Sequence, residues 1–478
     1  MNNFQNTFEY IQKQIDKKTL NLVDLCEVYL SRIKKNSDLN IFVEVFEKEA
    51  LSKAKEIQNK IIAKKAGSLA GLFVGLKDNI SYKDHLVSAS SKILQGYVSP
   101  YNSKVVKSLL DKDAIIIGRL NCDEFAMGSS NENSYYGPVK NPINTNKVPG
   151  GSSGGAAAAV AKGLCTVSLG SDTGGSIRQP ASFCGVIGFK PTYGKVSRHG
   201  LISYASSFDQ IGPISNTVYD TAIIMNYISG KDTKDSTTSN KINKDHILGF
   251  KKKNKKYKIL FSNDFLAYDG IDLEIKEKFL EFISNLKNNG HSIKEINFKH
   301  LNYVLPIYYI LTTAEASSNL SRYDGVKYGH RFSQSKDIED VFIKSRSFGF
   351  GEEVKRRIML GTFVLSQEYY EAYYTKAQKA RRMILNDYNN ILKDADFLLT
   401  PTTPNTAFNL KELQDPIKMY SQDIFTVTAN LVGAPALSMP VFKHSNNMPF
   451  GLQIMAKSFD DHKVLDFSYY LEKKYKSQ

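Results

Sequence analysis

Apolar runs of strand length alternate along this chain with longer segments whose apolar residues recur every three or four positions. The short runs predict buried strands at 114–118, 165–169, 257–261, 396–399, 436–441 and 450–455. The helical spacing predicts helices at 22–33, 46–62, 156–162, 216–228 and 368–392. Because such alternation is typical of a sheet sandwiched between helices, we expect one large α/β domain with a mixed β-sheet covered by helices on both faces.

One polar segment interrupts the alternation. Residues 231–256 are rich in Lys, Ser, Thr and Asn and end in a lysine run, which predicts a surface connection. We expect the lysine run to be solvated, with contact to nucleic-acid phosphates as the alternative. The predicted organisation is an N-terminal helical segment over about 1–65, a core over about 66–215, the connection over about 231–256 and a C-terminal half of the same domain over about 257–478.

Two clusters of glycine and hydroxyl residues flank the predicted helix at 156–162. Residues 150–155 have the sequence GGSSGG, and residues 172–180 have the sequence DTGGSIRQP. The consecutive N–H groups of such a loop can converge on one oxyanion, as a tetrahedral intermediate requires. We therefore predict an acyl-transfer site with Ser176 as the nucleophile, the alternative being a loop whose polar atoms only complete a turn. The predicted oxyanion donors are Thr173, Gly174, Gly175 and Ser176.

A serine nucleophile needs a base that accepts its proton. The eight histidines are scattered, mostly beside Lys, Asp or Asn, which is typical of surface positions. Lys77 ends the apolar run 69–76, so it would lie at the mouth of a buried strand, where desolvation favours a neutral amine. A solvated lysine just past a strand end is the alternative. The G-x-S-x-G pattern around Ser153 is a weaker candidate, because the preceding residues 141–149 are polar and contain two prolines.

Charge and composition narrow the function classes. The chain has 63 Lys and Arg against 48 Asp and Glu, a net charge of +15, which weakly favours proximity to nucleic acid. Four cysteines without C-x-x-C spacing predict neither a zinc site nor a disulfide framework. The near match to a phosphate-binding loop at 188–195 has five residues between its glycines, and Val196 replaces the magnesium-binding Ser or Thr. We expect a cytoplasmic protein without metal or membrane contact.

Several motifs together resemble the amidase signature family. They are GLKDN at 75–79, DEFAMGSS at 123–130, PGGSSGG at 149–155, GSDTGGSIRQP at 170–180 and GFKPTYG at 188–194. Along its whole length the chain is similar to one branch of that family, the glutaminase components (A subunits) of bacterial-type glutamyl-tRNA(Gln) amidotransferases. The resemblance implies the same α/β architecture that the alternation of strands and helices predicts.

The resemblance implies a Ser-Ser-Lys triad. In it, Ser176 attacks the amide carbonyl, Ser152 relays the proton, and neutral Lys77 is the final base. The relay also gives the departing ammonia a source of protons. The family pattern further implies a cis peptide bond between Gly151 and Ser152.

The resemblance also implies a pocket with opposite charges for the two ends of glutamine. An arginine would bind the carboxylate in a bidentate manner, and Asp423 would bind the ammonium. The alternative for Arg356 and Asp423 is a surface ion pair, and the alternative for Tyr309 is an interior position. The implied pocket residues are Ser129, Tyr309, Arg356 and Asp423, with Tyr308 and Arg357 as alternatives to their neighbours.

The implied reaction supplies ammonia for converting misacylated Glu-tRNA(Gln) to Gln-tRNA(Gln) within an ATP-dependent heterotrimer. The implied partners are glutamine, the B and C subunits of the heterotrimer, and the tRNA, which is contacted mainly through the B subunit. No cofactor is expected on this chain, whereas ATP and magnesium are expected on the B subunit. Two alternatives stay open: a free-standing amidase that acts on another small amide, and a non-catalytic scaffold.

Overall fold

The computed structural model of the chain describes residues 6–241, 245–251 and 255–475. Within these ranges, eleven strands form one mixed sheet in the order β1-β3-β2-β4-β6-β5-β10-β11-β9-β7-β8. The strands are β1 (Phe42–Val45), β2 (Phe73–Lys77), β3 (Ile115–Leu120), β4 (Val167–Asp172), β5 (Ile187–Lys190), β6 (Gln210–Ser215), β7 (Lys258–Ser262), β8 (Ser292–Ile296), β9 (Phe397–Pro401), β10 (Ala436–Lys443) and β11 (Pro449–Met455). Strand β2 pairs in parallel with β3 and β4, and β7 pairs in parallel with β8 and β9, whereas the other pairs are antiparallel.

Sixteen α-helices accompany the sheet in the described part of the chain. They are α1 (Phe8–Asp16), α2 (Leu22–Lys35), α3 (Glu47–Ile62), α4 (Lys104–Leu110), α5 (Gly154–Ala161), α6 (Arg178–Cys184), α7 (Val218–Ile228), α8 (Asn263–Leu266), α9 (Leu273–Asn288), α10 (Leu301–Asn319), α11 (Ile338–Gly349), α12 (Glu352–Val364), α13 (Lys376–Ile391), α14 (Pro416–Ser421), α15 (Val427–Leu431) and α16 (Asp461–Tyr475). None of the helices in these described ranges is both long and apolar enough to cross a membrane.

Helices cover both faces of the sheet. On β3, Ile115 and Ile117 belong to a hydrophobic cluster that includes residues of α2, α3 and α5. Between them, Ile116 belongs to a second cluster, which includes residues of α4, α7 and α16. Because successive side chains of a strand point to opposite faces, these two clusters lie on the two sides of the sheet. The predicted fold class, a mixed sheet between helical layers, is confirmed.

The predicted strands are present with small shifts at their ends, as β3, β4, β7, β9, β10 and β11. Strand β2 forms within the apolar run that precedes Lys77. Strands β1, β5, β6 and β8 were not predicted. Strand β6 contains a glycine and a proline, and β8 is an edge strand that is largely solvent-exposed, so neither has the apolar run that marks a buried strand.

Two predicted segments differ in detail. The predicted helix at 368–392 is divided into a π-helix at Tyr370–Thr375 and α13. In the polar connection, residues 242–244 and 252–254, which include part of the lysine run, lie outside the described residues. Elsewhere in this connection Asp235 and His246 are buried, and Asp235 accepts a hydrogen bond from Arg198 N at 2.8 Å. These two residues are therefore packed against the domain, whereas residues 233, 234, 236 and 237 are exposed.

The centre of the sheet leaves no room for a side chain at Gly212 of β6. A Cβ atom there would lie 2.1 Å from the Phe189 carbonyl oxygen and 3.1 Å from Ile177 Cδ1. We expect Gly212→Ala to lower the free energy of unfolding by about 1–3 kcal/mol, because the neighbouring strand must move. Urea denaturation measures this change. The exposed Lys294→Ala on β8 is the control, with an expected change of less than about 0.5 kcal/mol, and equal stabilities of the two variants would contradict the prediction.

Candidate active site

Lys77 lies at the end of β2, between β3 and β4, and its side chain is fully buried. Its Nζ donates hydrogen bonds to Ser152 Oγ at 2.6 Å and to Ser153 Oγ at 2.9 Å. Burial lowers the pKa of Lys77 from 10.5 to about 8, although nearby carboxylates and Cys122 oppose the shift. The neutral amine is therefore accessible near physiological pH.

The backbone before α5 places Ser152 against this amine. The peptide bond between Gly151 and Ser152 is cis, as the family resemblance implied. Gly151 N donates to Gln179 Oε1 at 2.8 Å, and Asp123 N donates to the Ser152 carbonyl oxygen at 3.2 Å. A Cβ atom at Gly151 would lie 2.1 Å from Asp123 Oδ2, so only glycine fits there.

Ser176 lies beside this pair. Ser153 N donates to the Ser176 carbonyl oxygen at 3.1 Å, which joins the segment that contains Ser152 to the loop that contains Ser176. Ser176 is 8% exposed, whereas Lys77 and Ser152 are fully buried. The structure thus places the backbone of Ser176 beside the segment that contains Ser152, and Ser176 is the least buried of the three predicted triad residues.

The loop after β4 corrects one predicted oxyanion donor. Gly175 N donates to Asp172 Oδ1 at 2.9 Å, so this N–H is already occupied. For the N–H groups of Thr173, Gly174 and Ser176, no acceptor is found among the described residues. A Cβ atom at Gly175 would lie 2.2 Å from Thr426 Oγ1, and its φ of +137° favours glycine. Gly175 therefore shapes the loop, and the other three residues remain available as donors.

A cavity of about 340 Å³ is bounded by residues of the segment 128–133, the first turns of α12 and the segment 411–420. Its lining includes Gly128, Ser130, Glu353, Arg356, Arg357 and Tyr420. Behind it, Ser129 Oγ donates to Asp423 Oδ2 at 2.7 Å. Thr426 Oγ1 donates to the Gly174 carbonyl oxygen at 2.6 Å and also to the Asp423 carbonyl oxygen at 3.1 Å. These contacts connect the cavity wall to the predicted oxyanion loop.

Asp423 is a buried carboxyl group without an ion-pair partner among the residues that the structure describes. Burial raises the pKa of Asp423 to about 7, while the hydrogen bond from Ser129 and the charge of Arg357 act in the opposite direction. Such a carboxyl group would gain strongly from a cationic ligand, because the ligand would supply the missing counter-charge.

The two neighbouring arginines of α12 have different surroundings. Arg357 is buried, and it donates through Nε to Glu353 and through Nη1 to Tyr204 OH, both at 2.8 Å. Arg356 is half exposed and forms an ion pair with Glu353. Both line the cavity, but Arg356 keeps more of its donors for a ligand.

The two neighbouring tyrosines of α10 also differ. Tyr308 packs against the loop, since a Cβ atom at Gly174 would lie 2.6 Å from its hydroxyl oxygen. Tyr309 stacks on Tyr420 with ring centroids 4.1 Å apart. Its buried hydroxyl group has no hydrogen-bond partner among the described residues, so Tyr309 has a donor left for a ligand.

Four further residues hold the site, and the sequence analysis did not assign this role to them. Ser153 accepts a hydrogen bond from Lys77, and Gln179 joins the cis peptide to the Ser129 carbonyl oxygen, to which its Nε2 donates at 2.6 Å. Arg178 and Thr426 link the oxyanion loop to the C-terminal half. Arg178 and Gln179 belong to the motif at 170–180, which could have identified them, whereas no local pattern distinguishes Thr426.

Comparison with known proteins agrees with this geometry. A family model described as "Amidase" matches residues 24–465. The chain belongs to the amidase family. This confirms the resemblance that its motifs indicate, and the three predicted triad residues of this amidase-family chain lie within the matched region.

Named relatives cover nearly the whole chain. This chain is 50% identical to the A subunit of the glutamyl-tRNA(Gln) amidotransferase of Halothermothrix orenii, and the match covers 87% of both chains. A protein of the same name from Desulforamulus reducens is 46% identical over 99% of this chain and 98% of its own length. The crystal structure of the corresponding A subunit from Thermotoga maritima matches with a TM-score of 0.80 and 40% identity, covering 97% of this chain and 94% of that one.

The buried amine predicts a characteristic pH dependence of stability. The pKa of Lys77 is about 8 in the folded protein and 10.5 in the unfolded chain. Between pH 8 and pH 10.5, the Lys77 side chain is therefore protonated in the unfolded chain but neutral in the folded protein. The contribution of Lys77 to stability should therefore rise by about 3 kcal/mol from pH 8 to 10.5 and stay constant below pH 8.

Denaturant unfolding of the wild type and of Lys77→Met at several pH values measures this contribution as a difference. The exposed Lys294→Met is the control, and its difference from the wild type should change little over the same range. If the difference in unfolding free energy between the wild type and Lys77→Met stayed constant from pH 8 to 10.5, the pKa of Lys77 would not be lowered in the folded protein.

Proposed function

We propose that this chain is the glutamine-hydrolysing component of a glutamyl-tRNA(Gln) amidotransferase. It releases ammonia for the transamidation of misacylated Glu-tRNA(Gln) to Gln-tRNA(Gln). The observation that carries the proposal is the buried hydrogen bond from Lys77 Nζ to Ser152 Oγ beside the Ser176 loop. The similarity to proteins named as the A component of this enzyme supports the choice of substrate.

Acylation begins with neutral Lys77. Its lone pair takes the proton of Ser152 Oγ, which takes the proton of Ser176 Oγ as that oxygen attacks the amide carbon. The negative charge that develops on the carbonyl oxygen is stabilised by the N–H groups of Thr173, Gly174 and Ser176. Because these donors are already oriented by the fold, they favour the transition state over the ground state.

The same route returns the proton. As the tetrahedral intermediate collapses, the proton moves from Lys77 through Ser152 to the leaving nitrogen, which departs as ammonia. A glutamyl ester remains on Ser176. Water then attacks this ester with Ser152 and Lys77 again accepting the proton, and glutamate is released.

The cavity and the buried carboxyl group behind it offer opposite charges for an amino acid. Arg356, which lines the cavity, binds the α-carboxylate, and Asp423, which accepts a hydrogen bond from Ser129 behind the lining, binds the α-ammonium. Tyr309 contributes its unpaired hydroxyl group. This arrangement supports glutamine over a simple amide, because an amide without the amino acid head group leaves both charges without a partner.

We further propose that the chain works with the B and C subunits of the heterotrimer in the cytoplasm. In this arrangement, the B subunit holds ATP, magnesium and most of the tRNA contacts, and no cofactor binds to this chain. The net charge of +15 is compatible with a position near tRNA. Coexpression and copurification with the B and C subunits test this assembly.

The acyl-enzyme gives the decisive test of the reaction. We expect mass spectrometry after incubation with glutamine to find a glutamyl ester on the peptide that contains Ser176, with and without the B and C subunits. Ser176→Ala should abolish both the ester and turnover, because the nucleophile is removed. The control is Ser182→Ala, which truncates another buried serine six residues further along. An ester on a different residue, or turnover by Ser176→Ala, would exclude the proposed nucleophile.

Carboxylate recognition gives a second test. We expect Arg356→Gln to raise KM for glutamine about tenfold or more, since a charge-assisted hydrogen bond is lost. Hydrolysis of γ-aminobutyramide, which is glutamine without its carboxylate, should be unaffected. The control is Lys355→Gln, which removes a positive charge from the neighbouring position of α12. If only Arg357→Gln raised KM for glutamine, the assignment of Arg356 would be wrong.

A further inference from the structure

The turn at 349–351, between α11 and α12, is held by a buried carboxyl group from the other half of the chain. Glu124 accepts a hydrogen bond from Gly351 N at 2.8 Å. Its other oxygen accepts a hydrogen bond from Ser91 Oγ, and Ser91 Oγ also lies 3.4 Å from the Gly349 carbonyl oxygen. Gly351 is the N-cap residue of α12 and has no side chain that could cap the helix. The carboxyl group of Glu124 therefore takes the place of a cap.

The packing around this turn leaves little freedom. A Cβ atom at Gly351 would lie 2.4 Å from Glu124 Oε2, and one at Gly349 would lie 2.6 Å from Ile93 Cδ1. Between the two glycines, the ring of Phe350 packs on that of Phe125 with centroids 5.7 Å apart. The turn is thus fixed by polar contacts at its ends and by an aromatic contact in its middle.

The helix that starts here carries the carboxylate-binding arginine. Glu353, two residues after Gly351, accepts hydrogen bonds from Arg357 Nε and from Tyr420 OH, both at 2.8 Å, and forms an ion pair with Arg356. A shift at the start of α12 would therefore move Glu353 together with Arg356 and Arg357. The residue before Glu124 contacts the segment of the predicted triad, because Asp123 N donates to the Ser152 carbonyl oxygen at 3.2 Å.

We propose that Glu124 is a positioning residue that sets the distance between the triad and Arg356 by anchoring the first turn of α12. The inference rests on the glutamine-hydrolysing function proposed above. Glu124 does not touch the substrate; it acts through Gly351 and the helix, and so it governs recognition of the α-carboxylate rather than the chemical step.

The chemistry of the contact indicates which substitution should preserve it. Burial raises the pKa of Glu124 to about 7, while the hydrogen bonds from Ser91 and Gly351 act in the opposite direction. Both the charged and the protonated carboxyl groups keep an oxygen that accepts from Gly351 N. A glutamine side chain also offers such an oxygen, and its NH₂ group can donate to Ser91 Oγ.

The experiment compares Glu124→Ala and Glu124→Gln in the chain copurified with the B and C subunits. For Glu124→Ala we expect KM for glutamine to rise about tenfold with kcat within about twofold of the wild type, because a displaced Arg356 binds the α-carboxylate less well in the ground state and the transition state alike. For γ-aminobutyramide, which has no carboxylate, kcat/KM should be unchanged. Glu124→Gln should restore KM for glutamine to within about twofold of the wild type.

A matched control separates positioning from general stability. Asp220 is also a buried carboxyl group that accepts a backbone hydrogen bond at a helix start, from Phe8 N of α1 at 3.1 Å. Asp220→Ala should lower the unfolding temperature without changing KM for glutamine. If Glu124→Ala does not fold, Glu124→Asp, whose carboxyl group is one methylene further from Gly351 N, should show the same selective rise in KM.

Three outcomes would overturn the inference. The first is an unchanged KM for glutamine in the folded Glu124 variant, and the second is an equal loss of kcat/KM for both amides. The third is a rise in KM for glutamine that Asp220→Ala reproduces. A wild type that hydrolyses γ-aminobutyramide but not glutamine would overturn the proposed function itself, and this result is seen before any variant is compared.

Discussion

A buried ion pair between Asp172 and Arg178 holds the loop that carries Ser176. Both side chains are fully buried, and Arg178 Nη2 lies 2.9 Å from Asp172 Oδ1. Asp172 also accepts hydrogen bonds from Gly175 N and Ile177 N. Burial alone would raise the pKa of Asp172, but the charge and hydrogen bonds of Arg178 outweigh it and lower this pKa to about 2. The pair is therefore charged throughout the working range, and the short loop between its members has a fixed shape.

The same pair joins the two halves of the chain into one site. Arg178 Nη1 donates to the Thr426 carbonyl oxygen at 2.8 Å and to Gln453 Oε1 at 2.6 Å, and Nη2 donates to Asn430 Oδ1 at 2.6 Å. A buried arginine is tolerated only when nearly all its donors have partners. Satisfying Arg178 therefore requires the C-terminal segment that also contains Asp423. The loop that carries Ser176 and the segment that carries Asp423 are consequently held together by one set of contacts.

These long-range contacts explain which features the sequence could predict. The fold class and Lys77 were predictable, because strand periodicity and the end of an apolar run are local signals. Ser152 and Ser176 lie in short motifs that resemble a known family. The use of Gly175 N by Asp172 was not predictable, since a glycine-rich loop offers several N–H groups and only the folded geometry shows which are occupied. Strand β8 was missed because an exposed edge strand lacks an apolar run.

Lys77 can lose its proton only if the carboxyl groups around it exert little pull. Asp123, Asp172 and Asp209 all act to raise the pKa of Lys77, against its burial. Burial raises the pKa of Asp123 to about 7, which reduces its negative charge near neutral pH, and it raises the pKa of Asp209 to about 6. Asp172 stays charged, but Arg178 balances it. The ion pair that shapes the predicted oxyanion loop thus also leaves desolvation as the dominant influence on the pKa of Lys77. One structural contact therefore serves both the proposed oxyanion stabilisation and the proposed general base.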